Sequence, residues 1–215
     1  VMNGDASCTA RLLGARHAPP PEARRSTSGF ILLLALRSRP AALPHHSVYF
    51  SADYECEFAD LWERRVFPED PTVYVNAPGA DDRTVTANGI EPLFVMANAP
   101  ASDSAPWDDA MIREARQRVM ARLAAGGVRI ADDDIVASDV WTPRRLAGTY
   151  DMPGGANYGE AAHGRRGAFL RPPNRVRAVR GLYQVGGSAH PGGGTPMVVL
   201  SSGIVSRFIR EDTGM

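Results

Sequence analysis

The chain has 215 residues, 44% of them hydrophobic, with 24 basic and 24 acidic side chains. That length and apolar content suffice for a sizeable core in one large or two small domains, and the balanced charge excludes partners recruited by bulk electrostatics, nucleic acid above all. The longest apolar run, Phe30 to Leu36, is far short of the about 20 residues needed to cross a bilayer, so membrane contact is expected to be peripheral at most.

In chain order, Asp5 to Leu13 reads as a short helix stopped by Gly14, and the Pro19-Pro20-Pro21 run forbids regular structure and marks a boundary. Gly29 to Arg37 is a near-continuous apolar stretch, expected to be a buried strand, Leu33 included, with His46 to Ser51 as its neighbour. Tyr54, Phe58, Leu61 and Trp62 fall at helical spacing, acidic residues early and Arg64-Arg65 late, with Pro68 and Pro71 as the stop. Thr72 to Asn76 and Leu93 to Asn98 are two further strands across a polar loop. Ile112, Ala115, Val119 and Leu123 make one face of a helix between Trp107 and Ala125, closed by Gly126-Gly127. Val128 to Val136 is a weaker strand interrupted by three aspartates, Thr142-Pro143 opens a short helix, and Gly154 to Arg175 is expected to be irregular. Strands and helices mix without strict βαβ alternation, which points to an α+β domain on an antiparallel or mixed sheet.

Several chemistries are disfavoured by spacing. His45-His46 would point to opposite faces of a strand and have no carboxylate or cysteine at ligand spacing, so no metal is expected. Asp132-Asp133-Asp134 lacks the alternating ligands and closing glutamate of a calcium loop. Ser201-Ser202-Gly203 lies inside a helical pattern, which is not the strand-to-helix turn of a hydrolase nucleophile. Cys8 and Cys56 have no metal-like spacing and no secretory context, and read as reduced thiols of a cytoplasmic protein.

The most informative stretch is Val179 to Phe208. Gly181 to Val185 is β-prone, Gly186-Gly187-Ser188 breaks it, and an apolar helical pattern runs from Met197 through Ile204, Val205, Phe208 and Ile209. Thr195 reads as the N-cap and Pro196 suits the first turn, where its missing N–H costs nothing. A glycine-rich loop leading into a helix N-terminus attracts phosphate or the electron-rich edge of a heterocycle, although a purely structural turn has the same appearance. It is neither a Walker loop nor a GxGxxG dinucleotide fingerprint.

Gly181, Leu182, Tyr183, Gly186, His190, Pro191, Gly192, Gly194 and Pro196 resemble the C-terminal flavin signature of the phytoene desaturase family, GLYxxGxxxHPGxGxPG, with Met197 where many members have glycine. Arg171-Pro172-Pro173-Asn174-Arg175, Gly154 to Gly159, and Asn3-Gly4-Asp5 near the family's usual Asn-Ala-Asp extend the resemblance over nearly the whole chain. It implies an α/β fold: the C-terminal portion of a FAD/NAD(P)-binding Rossmann-like oxidoreductase with an inserted substrate domain. Residues 1–14 and 151–215 would be returning pieces of the FAD-binding domain and 15–150 the substrate-binding domain. The chain begins Val1-Met2-Asn3 and holds no strand, GxGxxG and helix unit, so the N-terminal half of the same polypeptide is expected as its missing partner.

The implied activity is FAD-dependent desaturation of a phytoene-type carotenoid precursor, a hydrophobic polyene, with hydride passing to the flavin. A redox-neutral carotenoid isomerase, another flavin-dependent polyene oxidoreductase and a non-catalytic binding module for an apolar ligand remain open. By the resemblance, Gly186, Gly187, Ser188, Gly194, Thr195, Pro196 and Met197 would touch the cofactor, and Asn157, Tyr158 and His190 the substrate. No catalytic side chain is assigned. His190 could move a proton, but Pro191 and the neighbouring glycines favour a turn role. Arg171 and Arg175 are expected to fix their loop, with salt bridging as the simpler reading.

Overall fold

The computed structural model describes residues 1–14, 20–40, 43–162, 167 and 170–214. Pro19 of the proline run and part of the glycine- and arginine-rich stretch lie outside the described residues. In order, the elements are α1 (Ala6–Leu12), β1 (Ser28–Leu36), β2 (His46–Tyr49), α2 (Tyr54–Ala59), β3 (Val73–Asn76), β4 (Glu91–Ala99), α3 (Asp109–Ala125), β5 (Ile135–Trp141), α4 (Pro143–Tyr150) and α5 (Thr195–Thr213). They fall into two compact units, Gly29–Pro100 with Ser104–Pro143, and Val1–Ser28 with Ala101–Asp103 and Arg144–Met215.

The first of these is a five-stranded sheet in the order β2-β3-β4-β1-β5, antiparallel where β2 meets β3, β3 meets β4 and β1 meets β5. Phe30, Leu32, Leu34 and Leu36 of β1, Val73 and Val75 of β3, and Leu93, Val95 and Ala97 of β4 join Ala115, Val119 and Leu123 of α3 in one core. Phe30, Phe67 and Trp107 form an aromatic cluster with centroids 5.5–5.9 Å apart. α3 starts where Asp108 accepts a hydrogen bond from Met111 N–H (2.9 Å), and the Val128 N–H closes its far end on the Leu123 carbonyl (2.9 Å).

Four expectations fail in this unit. Leu33 is 39% exposed: alternate residues of a strand point to opposite faces, and only the even-numbered set of β1 meets the core. β2 is not beside β1 but at the opposite edge of the sheet, because it pairs with β3 through an antiparallel connection. The strand expected over 128–136 begins only at Ile135, since the aspartates form a 3-10 turn and Ile135 to Trp141 supplies the β1 pairing. The rings of His45 and His46 do not diverge but stack at 4.3 Å, because His45 precedes the strand and is free of its alternation. α2 continues as a π-helical turn through Arg64 and ends where Arg65 adopts φ 58°, ahead of Pro68.

The second unit has little ladder structure. α1 is capped by Asp5, which accepts from Ser7 N–H (2.9 Å). Gly181 to Val185 is not a regular strand: Tyr183 bridges Arg175 and Gln184 bridges Met2, one residue on each side, too few neighbours to sustain a ladder. α5 bears out the helical pattern of the sequence, but its cap is Gly194 rather than Thr195. At φ 100° Gly194 occupies a conformation that L side chains rarely adopt, which displaces the threonine into the first turn with Pro196. Among the described residues no helix is long and apolar enough to cross a membrane, and no group of three or more His, Cys, Asp or Glu could hold a metal ion.

Candidate functional site

In the second unit the turn between Gly186 and Gly194 is held from three directions. Arg171 donates from Nη1 to the carbonyls of Tyr158 (2.9 Å) and Gly187 (3.1 Å), and from Nη2 to that of Glu160 (3.4 Å). Burial lowers its guanidinium pKa while the Glu160 charge opposes that shift. Arg171 is thus a carbonyl clamp. Asn174, 3% exposed, places Nδ2 within donor distance of the Gln184 carbonyl (3.0 Å), the His190 carbonyl (2.8 Å) and Ser201 Oγ (3.1 Å). Two amide hydrogens serve three acceptors, so one is shared. Arg175 meets Glu211 (2.8 Å) and Asp212 (3.1 Å) and lies 3.7 Å over the Phe208 ring, as the salt-bridging reading requires.

The N-terminal residues pack along the same turn. Met2 donates to the Tyr183 carbonyl (2.8 Å) and accepts from Val185 N–H (2.9 Å), while Gln184 Nε2 donates to the Gly4 carbonyl (3.2 Å). Ser188 Oγ accepts from Ala6 N–H (2.9 Å), at the first turn of α1, so its hydroxyl is engaged within the protein.

The residues that the sequence assigns to the cofactor fall into two sets. Gly194, Thr195, Pro196 and Met197 lie together, exposed, at the start of α5, which has no side-chain cap. Gly186, Gly187 and Ser188 are inside the turn; Gly186 is buried beside Asn3, whose Oδ1 would stand 3.0 Å from an added Cβ. Tyr158 is brought to the turn, its ring over Gly187 and so close to Gly193 that a Cβ there would overlap it. Asn157 is held by its backbone N–H to the Thr27 carbonyl (3.1 Å). The His190 side chain is exposed, and its backbone N–H binds the Pro172 carbonyl (2.9 Å). Sequence reasoning missed Asn174, Gln184 and Ser201. Ser201 left one signal, a serine one turn before buried Val205 on the inward face of α5.

In the sheet unit, the face of the strands away from the core carries Ile31, Leu33 and Ala35 on β1, Phe94 and Met96 on β4, and Tyr74 on β3, all partly exposed. This is an apolar, aromatic surface of the kind on which a long hydrocarbon can lie.

No protein-family model matches the chain. Curated relatives do: a hydroxyneurosporene desaturase of Rubrivivax gelatinosus is 36% identical over 216 residues, covering 97% of this chain and 41% of the relative. A zeta-carotene-forming phytoene desaturase of Myxococcus xanthus is 34% identical, covering 85% of this chain and 35% of its own. The chain belongs to the phytoene desaturase family. Another member, a 1-hydroxycarotenoid 3,4-desaturase of Flavobacterium sp. (strain P99-3), is 32% identical over 86% of this chain. The present member spans 35–41% of the length of these three relatives. Its fold is shared with the crystal structure of an oxidoreductase from Methanosarcina mazei, with TM-score 0.53 and 16% identity over 95% of this chain and 42% of that one.

Proposed function

We propose that this chain is the C-terminal portion of a FAD-dependent carotenoid desaturase that oxidises a C–C bond of a phytoene-type polyene to C=C. The observation that carries the reading is the similarity to desaturases over 85–97% of the chain. The start of α5 fits a flavin. Four exposed residues, Gly194 to Met197, lead a 19-residue helix with no side chain competing for its first N–H groups. Thr195 and Met197 N–H would hold the electron-rich edge of the isoalloxazine and stabilise negative charge there, helped by the helix dipole. Gly186, Gly187 and Ser188 would follow the rest of the cofactor with their backbone. When bound, the flavin supplies the two-electron acceptor that takes the hydride.

The chain's own part is positional. Arg171 and Asn174 keep the turn rigid, Tyr158 shields it, and the apolar sheet face aligns and dehydrates the polyene, which would arrive from a membrane surface. Asn157 and His190 remain candidates for substrate contact. The ADP half of the cofactor would be gripped by a strand, GxGxxG and helix unit elsewhere in the same polypeptide, so residues 1–14 and 151–215 would complete a Rossmann-like domain.

The test is complementation. The 215-residue chain expressed alone should purify colourless, and co-expression with the N-terminal half of a relative should give yellow protein that desaturates an acyclic polyene. Flavin-loaded protein that only isomerises the polyene would replace desaturation with isomerisation. Complemented protein without flavin would overturn the cofactor assignment.

A further inference from the structure

The charges around the turn from Gly186 to Gly194 do not balance. Arg171 directs its guanidinium hydrogens at the carbonyls of Tyr158, Gly187 and Glu160, and among the described residues no carboxylate pairs with it. The Glu160 carboxylate, whose charge reaches Arg171, is itself paired, its two oxygens lying 3.0 and 3.1 Å from Arg24 Nη2. Arg175, by contrast, is neutralised by Glu211 and Asp212. Arg171 also lies directly under the turn: Nη1 holds Gly187, and a Cβ on Gly192 would stand 2.9 Å from Nε. Half-buried there, its charge is screened less than one on the open surface.

Clamping carbonyls does not require a charge. Asn174 does the same in this turn with a neutral amide, holding the Gln184 and His190 carbonyls. A cation in that role carries a desolvation cost that an amide avoids, so the charge of Arg171 exceeds what the clamp needs. α5 follows with no acidic residue in its first turn and no side-chain cap, and adds the positive end of a 19-residue helix. Asp5 is the other carboxylate at the turn. It stands at the Ser188 end, 3.5 Å from where a Gly159 Cβ would lie, and its Oδ1 is taken by the Ser7 N–H and hydroxyl. The side toward Gly187, Gly192 and α5 is left with positive charge alone.

We propose that the Arg171 charge favours the reduced cofactor over the oxidised one, so that this residue raises the flavin reduction potential in addition to fixing the turn. This rests on the FAD reading above. A hydride brings two electrons and one proton, which adds one negative charge to the bound ring system. A fixed cation without a counter-ion stabilises that charge and leaves the neutral oxidised ring almost unaffected. For a half-exposed guanidinium the preference should be about 3- to 10-fold.

The experiment is a midpoint-potential titration of the flavin-loaded, complemented protein against a reference dye. Arg171→Gln keeps hydrogen-bond donors and loses the charge, and should lower the potential by about 15–30 mV, the same 3- to 10-fold expressed for a two-electron couple. Arg171→Lys keeps the charge and loses the planar fork, and should hold the potential near the unmodified value even where its melting temperature falls. Glu160→Gln removes the negative charge that reaches Arg171 and leaves the clamp intact, because only the Glu160 backbone carbonyl enters it. It should raise the potential by a smaller amount, and it decides the matter alone if Arg171→Gln does not retain flavin. Equal potentials in the two Arg171 variants, or a potential that ignores Glu160→Gln, would reduce Arg171 to a structural clamp and overturn the proposal. Oxidised and reduced FAD weakened equally by Arg171→Gln would also overturn it, by assigning the charge to the pyrophosphate. Failure of the FAD reading looks different: the unmodified complemented protein then carries no flavin, and the proposal falls with it.

Discussion

In the sheet unit the fully buried side chains are mainly apolar, among them Phe30, Leu32, Leu36, Val73, Val75, Val95, Val119 and Leu123 over three strands and a helix, with Glu57 a buried charge held by the Thr72 N–H and hydroxyl. In the unit built from the chain ends, the buried groups include Asn174, Gln184, Ser201 and Arg25, and the elements are tied by bridges and side-chain clamps in place of a ladder. The first arrangement is non-directional and tolerates repacking at constant volume. The second is directional, so that removing one partner strands the others in a dry environment. A turn built to present backbone groups to a ligand cannot be filled with large apolar side chains, and polar clamps are the alternative that leaves glycine in place.

Paired substitutions break that comparison most directly. Leu32 is completely buried and Leu33 is 39% exposed on the opposite face. Leu32→Asp should cost at least about 4 kcal/mol and abolish soluble expression, while Leu33→Asp should cost less than about 1 kcal/mol. Urea titration and soluble yield would check both, and equal loss would return β1 to a strand buried on two faces.

The clamp comes next. Asn174→Ala should cost about 1–3 kcal/mol by leaving the Gln184 and His190 carbonyls and Ser201 Oγ without their donor. Chemical denaturation should show it, and the double variant Asn174→Ala, Ser201→Ala should lose less than the sum of the single changes.

Within the turn, Gly193→Ala must displace the Tyr158 ring, whereas Gly187→Ala meets only ordinary contacts, its Cβ 3.5 Å from the same ring. About 1–3 kcal/mol against less than about 1 kcal/mol is expected, read as melting temperature and as flavin retention in the complemented enzyme. The glycine whose replacement is severe is thus 193, although the sequence draws attention to 187.

The smallest effect is in pH. Hydrogen bonds from Arg175 and then Tyr183 lower the Asp212 pKa, and the bond to Asp212 raises that of Tyr183, whose Oη donates to Asp212 Oδ2 at 2.7 Å. A depressed carboxylate contributes stability above its unfolded pKa, about 3.9, that is lost as pH falls through the folded value. A raised phenol contributes stability below about pH 10 that is lost as pH rises through its folded value. Tyr183→Phe should flatten the alkaline limb of a stability-against-pH curve and Asp212→Asn both limbs. Unchanged limbs would detach this pair from the stability of the unit.

Local chemistry is what the sequence by itself determined. α3 with its Asp108 cap, α5 with Pro196 in the first turn, and the apolar character of β1 follow from periodicity, capping and propensity, all of which act within a few residues. The motif from Gly181 to Pro196 carried the family for the same reason, since a contiguous pattern survives reading in one dimension. Tertiary structure alone decided that β2 lies at the far edge of the sheet, that Leu33 faces outward, and that Gly181 to Val185 finds too few neighbours to be a strand. It also brought Asn174 to Ser201, Ser188 to Ala6, and His46 to Tyr74 and Asn76. Those contacts join residues from 27 to 182 positions apart, and whether a polar side chain is clamped, capping or free depends on which distant strand or carbonyl arrives beside it.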